Sequence, residues 1–257
     1  LFDLLVGDAR IRPDAAAGRR TRGAPPAARR PLAALCLLAL PAPRAPVQAD
    51  TRRLALLAGI GRETARTALL RLAEDGWIAQ AQAADGPHGA AWSIDPTGAF
   101  HRDAGTSRSQ ADPRPAGAGA AERTTLLEAL TARMTDARHD LFTPGPGLGH
   151  HAGNVYARTS TDPQDLDELS QATGADAGTT RRTLNRLTSA GVLIQTRDGW
   201  RRRATDYRRA AAAHLDVAGR LDDRARRYRI ERELWAWWQA EETWMRSPRR
   251  TAPSRRP

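Results

Sequence analysis

Arginine sets the chemistry available to this sequence. Its 257 residues contain 40 basic residues other than histidine, all of them arginine, against 29 acids, giving a formal net charge of +11 and a pI of about 11.3. A guanidinium is planar, permanently charged and carries five donors in a rigid fork that fits phosphate oxygens and base edges. Exclusive use of arginine, with abundant Ala, Gly and Pro, is what a GC-rich coding sequence produces. Codon bias does not make bases outnumber acids, so the excess charge points to a polyanionic partner.

The densest cluster is Arg197, Arg201, Arg202 and Arg203, set around Asp198-Gly199 and Trp200. Asp-Gly between the runs Val192 to Arg197 and Trp200 to Arg203 predicts a tight hairpin with a basic tip suited to phosphate or minor-groove contact.

Other constellations carry less. His139, Asp140, His150 and His151 offer donor types a metal uses, but adjacent histidines at a helix start face different ways and serve packing or capping, so no metal is expected. Gly145, Gly147 and Gly149 lack the preceding strand and following lysine of a phosphate loop, and Pro144 and Pro146 make the stretch a turn. Ser, His and Asp residues are scattered without a nucleophile motif, so neither catalysis nor a cofactor is expected. Cys36 is the single cysteine, which excludes an intrachain disulfide and a cysteine-rich zinc site and suits a reducing, cytoplasmic setting. No apolar run reaches the roughly 18 residues of a membrane span.

The elements that would position these groups are legible through a repeat. TRRLALLAGIGRETARTALLRLAEDGWI (Thr51 to Ile78) and LDELSQATGADAGTTRRTLNRLTSAGVL (Leu166 to Leu193) superimpose with a shift of 115 residues, pairing Leu54 with Leu169, Gly59 with Gly174, Arg66 with Arg181, Leu72 with Leu187 and Gly76 with Gly191. The spacing predicts a short helix, a glycine turn, a second helix with Ala65, Leu69 and Leu72 (Leu184 and Leu187 in the second copy) on its buried side, and an extended segment. Asp176 is a good N-cap; Gly61 at the matching place caps less strongly. A weaker, Ala-rich hairpin, Ile78 to Gln82 and Ala90 to Ile94, follows the first copy. Pro31 to Leu40 and roughly Leu148 to Arg158 supply a preceding helix for each. Arg29-Arg30, the apolar run after it and Val47-Gln48-Ala49 also have the layout of a secretory leader. The helix reading is preferred because the motif that follows needs a helix before it, with Pro31 in the first turn.

The expected organisation is a disordered basic arm (1–30), a first domain (31–96), a linker (97–121), a second domain led by a helix over about Glu122 to Arg138 (122–204), a long C-terminal helix (205–246) and a basic tail (247–257). In the long helix, Val217, Leu221, Tyr228, Trp235, Trp238 and Met245 approximate one stripe, with Trp237 and Trp244 off it. Such tryptophans could stack single-stranded bases, but burial against a neighbouring domain or a second subunit is the expectation.

The pattern L-A-x-x-A-G-I-G-R-E-T-A-R-x-x-L-x-x-L-x-x-x-G-W-I resembles bacterial winged-helix regulators of the GntR-like and MarR-like kind. HDLFTPGPGLGHHAGNVYA (His139 to Ala157) and RELWAWWQAEETWM (Arg232 to Met245) look like replication-associated proteins of mobile elements in high-GC bacteria. The resemblance implies a mostly α fold: two winged helix-turn-helix domains with small β-hairpin wings, plus the long C-terminal helix. It further implies that the second helix of each motif enters the major groove while the wing touches backbone or minor groove. The residues so placed are Arg62, Glu63, Arg66 and Thr67 in the first copy and Thr179, Arg181, Arg182 and Asn185 in the second, Arg suiting guanine and Asn adenine. Glu63 reads better as a charge partner of the helix N-terminus. Arg182 stands where the family pattern has a basic residue and Thr67 departs from it, so the second copy is the expected stronger reader. The implied role is a nucleoid-associated, non-enzymatic regulator of transcription or of mobile-element replication that binds duplex DNA, with a homodimer or replication partner on the Trp-rich helix. Alternatives are a protein-docking module, or the C-terminal DNA-binding part of a larger replication initiator or primase, a reading that a sequence opening on Leu1 instead of Met suggests.

Overall fold

A computed structural model of the chain describes residues 26–40, 46–85, 89–94 and 118–247. The arm over 1–25, most of the linker and the tail beyond 247 lie outside them. The chain is mostly helical with small antiparallel sheets. It forms one compact unit through Leu221 and a second from Asp222 onward.

The first copy runs α1 (Pro26–Ala39), β1 (Val47–Gln48), α2 (Thr51–Ala58), α3 (Arg62–Glu74), β2 (Ile78–Gln82) and β3 (Ala91–Ile94). The strands lie in the order β1-β3-β2, with Val47 opposite Trp92 and Ile78 opposite Ile94. The second copy runs α4 (Ala118–Ala137), a 3-10 turn (Asp140–Phe142), α5 (His150–Tyr156), α6 (Leu166–Thr173), α7 (Ala177–Ser189), β4 (Leu193–Thr196) and β5 (Gly199–Arg202). Gln164 takes the place of β1 in the second sheet: its amide donates to the Trp200 carbonyl at 3.0 Å and its carbonyl accepts the Trp200 amide at 2.9 Å.

The repeat holds residue for residue through both helix pairs. Asp50 and Asp165 cap α2 and α6 by accepting the amides of Arg53 and Glu168, each at 2.8 Å, and Glu168 returns the bond to the Asp165 amide at 3.2 Å. Such caps satisfy donors that a helix start leaves orphaned. Gly59 (φ +65°) and Gly174 (φ +69°) end these helices in the left-handed conformation. Asp176 caps α7 through the Thr179 amide at 2.8 Å, whereas Gly61 gives α3 no side-chain cap.

Leu32, Leu35, Leu54, Leu72 and Ile78 are wholly buried in the first copy. In the second, Leu141, Phe142, Val155, Leu169, Leu184, Leu187 and Leu193 form one cluster. The two copies are not separate bodies. Helix α1 packs on α2 and α3 and also touches α4 and α5. Two arginines expected in a disordered arm anchor this seam. The buried guanidinium of Arg30 donates to the carbonyls of Ala137 (2.8 Å) and His150 (3.1 Å), and that of Arg29 to the carbonyl of Ala172 (3.2 Å). Pro31 consequently sits inside α1 instead of in its first turn. Residues 118–121, expected as linker, already belong to α4.

The continuous helix expected from residue 205 is broken. Helix α8 (Arg208–His214) ends at a turn in which Asp216 (φ +53°) and Gly219 (φ +83°) take positive φ, and α9 (Arg220–Arg246) follows. Ala211, Ala212 and Val217 join the core of the second copy, so that copy extends past residue 204. The Asp140 carboxylate receives the amides of Gly219 (2.8 Å) and Leu221 (2.7 Å) and fixes the turn.

Candidate nucleic-acid interface

On α7 the helical period turns Thr180, Thr183, Leu184 and Leu187 into the core. The same period leaves Arg181, Arg182, Asn185 and Arg186 exposed. The sequence AGTTRRTLNRLTS holds three cations and no acid. Thr179 is half-buried; its hydroxyl accepts Arg182 Nη2 at 2.9 Å, which aims that guanidinium toward the helix N-terminus. Hydrogen bonds from the Thr179 amide and hydroxyl hold the Asp176 carboxyl below its ordinary range. It therefore stays ionised as a cap.

Helix α3 differs. It buries Ala65, Ala68, Leu69 and Leu72 and exposes Arg66, Thr67, Leu70 and Arg71, but RETARTALLRLAE offsets its three arginines with two acids. Arg62 contacts Glu63 at 3.3 Å. An exposed pair of this kind adds little stability, yet it leaves that end of the helix less attractive to phosphate.

The hairpins sharpen the contrast. Strands IAQAQ and AWSI of the first copy carry no charge, whereas the β4–β5 hairpin bears Arg197, exposed at its tip, Arg201, half-buried, and Arg203, exposed with its guanidinium 5.3 Å from the Tyr207 ring. Arg202 is different in kind. Nη1 lies 2.7 Å from Asp136 Oδ2, Nε and Nη2 donate to the Tyr156 carbonyl at 3.0 and 2.7 Å, and the guanidinium stacks 4.3 Å from the Tyr156 ring. Strand alternation explains the split: residues two apart share a face, so Arg202 follows buried Trp200 inward while Arg201 and Arg203 face out. Arg202 is thus a packing residue and leaves the predicted contact set. Arg208, unforeseen from sequence, joins it at Asp136 (3.6 Å): it also meets Asp206 at 2.7 Å and lies 4.9 Å from the centroid of the Tyr156 ring.

Two of the four residues considered as metal ligands are engaged elsewhere. Asp140 holds the α8–α9 turn, and His139 Nδ1 accepts the Leu141 amide at 3.1 Å. Among the described residues no three His, Cys, Asp or Glu side chains converge as a metal would need, and no helix is long and apolar enough to cross a membrane. Arg186 and Arg71, aligned by the repeat but not placed at the interface from sequence, are exposed on their helices. The period that located Leu184 and Leu187 on the inner side would have placed Arg186 outside. Comparison of the chain with protein-family models, with curated proteins and with solved structures finds no match.

Proposed function

We propose that this chain binds duplex DNA without catalysis, as a control protein of transcription or of mobile-element replication, and that its two copies are winged helix-turn-helix units. The order helix, strand, two helices about a glycine turn, and a hairpin returning to the first strand supports the fold reading. One observation carries the functional reading. The exposed face of α7 presents Arg181, Arg182, Asn185 and Arg186 with no acid, beside a hairpin bearing Arg197, Arg201 and Arg203. In this reading α7 lies in the major groove with Arg182 and Asn185 toward base edges, and the hairpin cations meet phosphate. The first copy, with no arginine on its hairpin and offset charges on α3, contributes Arg66, Thr67 and Arg71 as a weaker contact.

Fluorescence anisotropy of a labelled duplex, titrated at several salt concentrations, tests this. Five arginines neutralising phosphate (Arg181, Arg186, Arg197, Arg201 and Arg203) give a log–log salt slope of about −4.5. Absence of binding at low salt, or a slope near zero, would sink the reading.

A further inference from the structure

We propose that α9 pairs with the α9 of a second copy of this chain, in antiparallel orientation. Ile230, Leu234, Trp237, Trp238, Trp244 and Met245 are 49%, 62%, 66%, 48%, 72% and 64% exposed. Ile230, Trp237 and Trp244 recur every seventh residue, and Leu234, Trp238 and Met245 fall four or eight residues from a member of that row, so all six lie on one helix face. The stripe differs from the expected one: Trp237 and Trp244 belong to it, and Tyr228 is buried. With tryptophan burying about 150–250 Å², the face offers on the order of 700 Å² of apolar surface. That exceeds the roughly 300–600 Å² patch of an ordinary monomer and approaches the about 800 Å² per partner of a stable interface.

Charge selects the occupant and its direction. Arg227 stands seven residues before Leu234 and Glu241 seven after it, both on the apolar face. A two-fold axis through Leu234 sets Arg227 of each copy opposite Glu241 of the other, and Ile230 opposite Trp238. Parallel pairing would set Arg227 against Arg227 and Glu241 against Glu241, which is repulsive. The neighbouring Arg226 and Glu242 are engaged within their own helix, with Asp223 at 3.5 Å and Arg246 at 2.6 Å, and do not compete. The pairing needs no DNA.

Sedimentation equilibrium of the full chain tests the proposal. A dimer is expected at micromolar concentration, and Leu234→Glu with Trp237→Glu should yield monomer with the helical circular dichroism retained. Arg227→Glu and Glu241→Arg should each weaken association about tenfold, and the two together in one chain should restore it. A wild-type chain monomeric to about 100 µM overturns the proposal and assigns the stripe to a different protein or to single-stranded bases. A dimer indifferent to the tryptophan change, or a double reversal without rescue, overturns it equally.

Discussion

Arg30 Nη2 donates to the carbonyl of Ala137 at 2.8 Å across 107 residues of chain, so a guanidinium on the first helix closes the end of the fourth. Burial pushes the Arg30 pKa down to about 9. It remains charged at neutral pH, held by carbonyls and the C-terminal dipole of α4. Only a planar fork spans both the Ala137 and His150 carbonyls. Arg30→Lys should therefore cost about 2–3 kcal/mol in a urea titration followed by circular dichroism. Wild-type stability in that variant would show that the two-carbonyl span contributes nothing.

The same seam makes two turn glycines unequal to their neighbours. A Cβ on Gly59 would stand 2.9 Å from Arg30 Nη2 and 3.3 Å from the Arg138 backbone, whereas one on Gly76, also at positive φ, meets nothing within 4 Å. Gly76→Ala should lose only the left-handed backbone cost, about 1–2 kcal/mol. Gly59→Ala should lose that and a further roughly 1–3 kcal/mol from crowding. Equal melting temperatures for the two variants would argue against a tight seam.

Much of this fold is written locally and some of it is not. Gly59, Gly174 and the leucines between them announce two helices because turn and packing chemistry recur within a few residues. Even Asp50 and Asp165, each ahead of a helix, were available as caps. Arg30 was not legible as a buried residue, since its acceptors lie on helices more than a hundred positions away. The break before α9 was equally hidden: Gly219 alone suggests it, and the carboxylate that fixes it comes from Asp140, 79 residues earlier. For the interface, the 3.6-residue period found Arg181, Arg182 and Asn185. The two-residue period, applied to Trp200 and Arg202, would have removed Arg202 from it.

Acid should destabilise the chain through its histidines. His139, His150 and His151 all have pKa values lowered from 6.5, each chiefly by burial, with Arg208 beside His139, Arg30 beside His150 and Arg158 beside His151 adding to the effect. As pH falls past 6.5 the unfolded chain takes up these protons first. Stability is therefore full above that pH and is lost as pH falls through the lower folded values. Asp176 and Asp206, held below 3.8, contribute loss only in stronger acid. Melting temperature should drop between about pH 7 and pH 5, and less so in His139→Asn, whose amide oxygen can still accept the Leu141 amide. An identical pH profile in that variant would remove His139 from the account.

Two neighbouring arginines should separate DNA reading from folding. Arg182 is exposed on α7, with its guanidinium on the Thr179 hydroxyl, while Arg202 is only 19% exposed in its side chain and paired with Asp136. If Arg182 meets a base edge, Arg182→Ala should weaken a selected duplex site by about 1–3 kcal/mol, relax preference at one position and leave the melting temperature within a degree or so. Arg202→Ala should do the reverse. Losing the Asp136 pair and the bonds to the Tyr156 carbonyl should cost about 2 kcal/mol of stability, with an unchanged salt slope in the folded fraction because no phosphate contact is removed. Affinity and thermal denaturation measured on the same preparations decide the matter: a slope reduced by about one in Arg202→Ala, with stability intact, would place that residue back at the interface.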